Sequence, residues 1–72
     1  MSLIAKENIL TAQYMYYQRL EELRAKVRKV VQQGLSLGEE YEGETVMALG
    51  EIEEEVCGVE ECIHLLNHLL EN

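Results

Sequence analysis

The densest run of residues able to do chemistry is Glu61-Cys62-Ile63-His64, with Cys57 before it and His68 after it. Glu-x-x-His is the spacing found in di-metal carboxylate bundles. Cys57, Glu61, His64 and His68 follow one another at steps of four, three and four, so a helix would carry all of them on one face. Thiolate and imidazole together suit zinc. The helix that must hold these residues argues against a metal centre. With Ile63 and Leu66 turned inward, Glu61, His64 and His68 point outward, where no shell encloses an ion. The first half of the chain adds no inward Glu. Histidines in the last turns of a helix are favoured anyway by its dipole. Nucleophilic catalysis has less support: Cys62 and His64, two residues apart, fall on different helix faces, with no acid placed to orient the histidine. The glycines are single and scattered, so no phosphate-binding loop exists. The expectation is a non-enzymatic protein without a cofactor.

The elements are legible from periodicity. Ile9, Ala12, Tyr16, Leu20, Leu23, Val27 and Val30 form a helix stripe, which predicts a first helix over about 7–33. Gln13 stands where the heptad wants an apolar residue, and Glu22 is spaced to pair with Lys26. Gln32-Gln33-Gly34 predicts the end of this helix, with Gly34 supplying positive φ. Residues 34–43 form the connection, in which Ser36 and Glu39 have capping-box spacing and suggest a short helical turn. A second helix is predicted over about 44–71, where Leu49, Ile52, Val56, Val59, Ile63, Leu66 and Leu70 keep an unbroken heptad pattern. Gly50 and Gly58 lie outside that seam and would mark close approach by a neighbouring helix.

Folding the stripes together gives an antiparallel hairpin with layers Ile9–Leu66, Tyr16–Val59, Leu20–Val56, Leu23–Ile52 and Val27–Leu49. A rival register, closing at Leu35-Ser36, would set Glu39 and Glu42 against Val30 and Val27. The fold class is therefore all-α, one helical-hairpin domain over 1–72.

Charge is divided between the halves. The chain has 72 residues and a net charge of −8, and all of its acids are Glu. Residues 1–33 carry a net of +3, and residues 34–72 hold 11 Glu and no Lys or Arg. The basic cluster Arg24, Lys26, Arg28 and Lys29 would lie near the closed end of the hairpin, facing the acids of the second half. Such pairs select orientation and add only about 0–1 kcal/mol each when exposed. Glu51, Glu53, Glu54, Glu55 and Glu60 are not obviously neutralised within one hairpin. They could form an acidic surface that meets a basic partner or mimics nucleic acid. The overall acidity argues against binding a phosphate backbone or an anionic membrane.

Apolar surface exceeds what one seam can bury. The predicted interface is Leu10, Tyr14, Met15, Tyr17, Cys62, Leu65 and Leu69, placed together at the open end, with a narrow stripe and most charge at the closed end. A patch of this kind marks an interaction site. Self-association into an antiparallel four-helix bundle would cover it, as would a helical protein partner. This layout resembles the Rop type, a hairpin that doubles into a four-helix bundle, and the small hairpin subunits of type III secretion chaperone pairs. The Rop resemblance implies an RNA-binding bundle as a further reading, but it is one of layout and assigns no RNA-binding residue here. Cys57 and Cys62, five apart on a helix, are poorly placed for a disulfide with each other. No secretion signal or membrane span is evident, so the expected location is cytoplasmic. No small-molecule substrate is implied.

Overall fold

The computed structural model describes residues 2–71. They form helix α1 (Leu3–Leu37), a 3-10 turn (Glu39–Tyr41) and helix α2 (Glu42–Glu71). The two helices pack against each other in a hairpin whose Cα atoms span 55 × 14 × 11 Å.

The helices run further than the apolar stripes alone indicate. No proline interrupts either one. Ser2 caps α1 by accepting the Ala5 N–H at 3.1 Å, which satisfies one of the free amides of the first turn. At the other end Gly38, at φ +90°, breaks the helix, and its N–H donates to the Gly34 carbonyl at 3.1 Å. An L side chain is disfavoured in that conformation. Gly34, predicted to be the terminator, instead lies inside α1. Ser36 is also helical, its hydroxyl donating to the Gln32 carbonyl at 3.1 Å rather than capping a new turn. Helix α1 thus covers 3–37 rather than 7–33, and α2 begins at 42 rather than 44.

That extension moves the register. Gly34 lies against Thr45, and the Gln13 amide Nε2 donates to Asn67 Oδ1. These residue numbers sum to 79 and 80, where the predicted layers sum to 75 or 76. The shift is about one helical turn, so both stripes survive while their partners change. Carrying the new register along the alternating three- and four-residue steps sets Tyr16 opposite Ile63, Leu20 opposite Val59 and Leu23 opposite Val56. It likewise sets Val27 opposite Ile52 and Val30 opposite Leu49. Every stripe residue is buried or half-buried, with Leu23 completely so.

Two pins hold this alignment. Gln13 is buried at a heptad position, and pairing with Asn67 removes the cost of an unsatisfied amide. A polar residue in an apolar seam selects one register over its neighbours. Asn67, one position on from the α2 stripe residue Leu66, reaches across to make this bond. At the closed end, a Cβ on Gly34 would sit 2.6 Å from Thr45 Cγ2 and 2.7 Å from its Oγ1. Only glycine lets the backbones come this close. Gly50 and Gly58 differ: a Cβ on either would meet nothing within 4 Å, so no neighbour within the hairpin explains them.

Gly34→Ala should destabilise the protein by about 1–3 kcal/mol through overpacking, while Gly58→Ala should stabilise it by about 1 kcal/mol through helix propensity. Urea unfolding at one fixed protein concentration checks both, and a neutral Gly34→Ala would contradict the close approach. Gln13→Leu or Asn67→Leu alone should cost about 1–2 kcal/mol, and the double substitution should recover most of that loss.

Candidate interaction surface

The hairpin has two broad sides, one along each flank of the seam. The predicted interface residues divide between them. Successive helix residues turn by about 100°, which places Leu10, Tyr14 and Tyr17 on one side of α1 and Met15 well round towards the other. Tyr17 borders a groove with Arg24, Glu60, His64 and Asn67. Met15 borders a different groove with Ala12, Arg19 and Val59. On α2, Cys62, Leu65 and Leu69 share a face on the Met15 side. Leu10, Tyr14, Met15, Tyr17, Leu65 and Leu69 are all exposed, and Cys62 is half-buried. The expected single patch is therefore two.

The closed end, expected to carry a narrow stripe and most of the charge, also has a broad apolar groove. Val31, Leu35 and Val46 line a surface groove there with Gly34, Thr45 and Leu49, and Leu35 is 80% exposed. Val31 and Leu35 lie at helical spacing on the Leu10–Tyr14–Tyr17 side of α1. Placing the helix end at Gly34 hid this continuation. The spacing of Val31 and Leu35 from Tyr17, at 14 and 18 residues, was the signal available.

The charges sort locally more than across the seam. Among the described residues, Arg19 makes the ion pair that joins the helices: its Nη2 donates to Glu55 at 2.8 Å and its Nη1 to Glu22 at 3.0 Å. Both contacts hold the Arg19 guanidinium above its ordinary pKa, with the Glu22 hydrogen bond the larger cause. Glu22 is thus engaged by Arg19 and not by Lys26 as spacing suggested. Arg24 pairs within its own helix, with Glu21 at 2.9 Å. Arg24 and Arg28 lie on the Tyr17 side while Lys26 and Lys29 lie on the Met15 side, so the basic cluster is not one patch. Of the predicted acidic surface, Glu51, Glu53, Glu54 and Glu60 are exposed beside the bridged Glu55.

The sulfur and imidazole groups stay on the surface. Cys57 and Cys62 are free thiols. Cys57, Glu61 and His64 border a shallow hollow on the outer face of α2 with Glu60 and Leu65, while His68 lies 4.0 Å from Glu71. Among the described residues, no three His, Cys, Asp or Glu side chains converge as a metal-holding group. Tyr16 is held above its ordinary pKa of 10.0 first by its hydrogen bond with Cys62, then by Coulombic interaction with that thiol and by burial. A raised phenol contributes stability at pH below its ordinary value and loses it as pH climbs through the folded one. Among the described residues, no helix is long and apolar enough to cross a membrane.

Comparison with known proteins finds no matching family model, no matching curated protein and no matching solved structure.

Thiol labelling should separate the two cysteines. Cys57 should react at the rate of a free thiol, and Cys62, half-buried against Tyr16, should react several-fold more slowly by about the loss of access. Tyr16→Phe should narrow the gap, and equal rates in the native protein would place Cys62 outside the seam.

Proposed function

We propose that this chain is a non-enzymatic assembly module whose exposed apolar helix faces are covered by another protein, most simply a second copy. The observation that carries this reading is the balance of the apolar residues. Only Leu20, Leu23 and Ile63 are buried among the described hydrophobics, while fourteen large apolar side chains are exposed. Two helices bury one stripe each, which makes an isolated hairpin of this length marginal. Each further side chain of Leu or Tyr size taken from water contributes about 1.5–3 kcal/mol. That outweighs the exposed ion pairs as a driving force. A two-fold axis makes one face its own complement, and two hairpins so related form a four-helix bundle.

A second reading draws on the excess of Glu on α2. Residues 34–72 hold 11 Glu, and among the described residues Glu55 is the one bridged to α1. Such a surface would attract a basic protein by long-range charge.

Sedimentation or light scattering of the purified protein should give twice the 8.3 kDa chain mass, and the value should persist at about 1 M salt, where exposed charges are screened. A well-folded monomer across the micromolar range would overturn self-association. An interaction that salt abolishes would favour the acidic-surface reading.

A further inference from the structure

We infer that the second copy docks along α1, antiparallel to it, through a second stripe one residue on from the seam. This rests on the self-association reading above and specifies its face, orientation and register. The seam on α1 runs through Ile9, Gln13, Tyr16, Leu20, Leu23, Val27, Val30 and Gly34. Advancing each position by one gives the same alternating spacing, turned by about 100°. All of the side chains so reached are exposed.

The order of residues along this second stripe is self-complementary when reversed. Laid antiparallel about a point between positions 22 and 23, Leu10 meets the partner's Leu35 and Tyr14 meets the partner's Val31. Tyr17 then meets the partner's Arg28, and Glu21 meets the partner's Arg24. By symmetry each contact occurs twice. The two ends of the stripe are apolar. The centre holds two Glu and two Arg, which close a neutral cluster across the axis, and each flanking arginine faces an aromatic ring. Glu21 and Arg24 are already poised for this, paired at 2.9 Å and both exposed in the single hairpin.

Charge decides the orientation. A parallel arrangement would also set Leu10, Tyr14, Val31 and Leu35 on apolar partners, but it would place Arg24 on Arg24, Arg28 on Arg28 and Glu21 on Glu21. Like charges directly opposed are strongly unfavourable at an interface. The opposite side of the hairpin lacks this symmetry. Along α1 on that side, Ala12 and Met15 lie towards the open end and Lys26 and Lys29 towards the closed end, where exposed Leu37 borders Lys29; Cys62, Leu65 and Leu69 belong to α2. Reversal there would set apolar side chains on lysines. The groove of Val31, Leu35 and Val46 supplies the seat for the partner's open end. The contact from Leu10 to Leu35 runs about 38 Å along the helix, long enough for an interface of standard size.

Cysteine crosslinking tests the register directly. In the full chain carrying Cys57→Ser and Cys62→Ser, Leu10→Cys and Leu35→Cys are introduced separately, and each protein is oxidised alone and as a mixture. The expected result is a disulfide-linked heterodimer in the mixture and none from either protein alone, because like positions lie about 38 Å apart. In parallel, Glu21→Arg and Arg24→Glu should each weaken the dimer by about tenfold or more, and the double swap should restore it. Circular dichroism confirms that each variant keeps its helices. A dimer in which Leu10→Cys links to itself, or in which Leu69→Glu but not Tyr14→Glu produces monomers, overturns this register and leaves self-association standing. A monomeric wild type overturns self-association and this inference with it.

Discussion

Everything in this fold depends on one seam, in which a stripe of α1 and a stripe of α2 exclude water from each other. The seam is thin. Leu23 is its only fully enclosed large side chain, and most of its other members keep part of their surface in solvent. Its hydrophobic energy would be nearly unchanged by sliding one helix along the other by a turn, because both stripes repeat every seven residues. Something other than apolar area must therefore choose the alignment. The bond from buried Gln13 to Asn67 does so near the termini, and the Gly34–Thr45 approach does so near the turn.

That division of labour explains what could be read from the residues and what could not. The two stripes, from Ile9 to Val30 and from Leu49 to Leu70, were legible because heptad spacing states which residues turn inward. The hairpin followed from their antiparallel match. The register was not legible, since layers such as Tyr16–Val59 and Tyr16–Ile63 are equally apolar. Gln13 stood out as a polar residue in an apolar position, yet nothing in the spacing marks Asn67, outside the α2 stripe, as its partner. Gly34 carried the misleading signal. Glycine marks both helix ends and close helix approaches, and three residues of helix-compatible sequence, Leu35-Ser36-Leu37, separate it from the true terminator Gly38.

The same error masked part of the candidate surface. Ending α1 at Gly34 puts Leu35 in the connection and leaves Val31 without a successor, when both prolong the side that begins with Leu10 and Tyr14. The charged residues between them then gain a meaning that net charge does not convey. The total of −8 describes a long-range field, whereas Glu21, Arg24 and Arg28 act by their order along one face. Charge pairs of this kind contribute little to holding a hairpin together. Their effect lies in penalising wrong arrangements, and that effect grows when apolar contacts on either side exclude water from them.

The two pins also sit at opposite extremes of sequence separation. Gly34 and Thr45 are near neighbours along the chain, while Gln13 and Asn67 are 54 residues apart. Closing a short loop costs less entropy than closing a long one, so contacts next to the turn are cheaper to form than those next to the termini. Each layer paired next to Gly38 shortens the loop that the following layer must close. The seven-residue repeat allows slippage at every step, and the tight fit of Gly34 on Thr45 imposes the correct frame at the very first one. The distant amide pair meets only after the frame is set, and it checks the result at the far end.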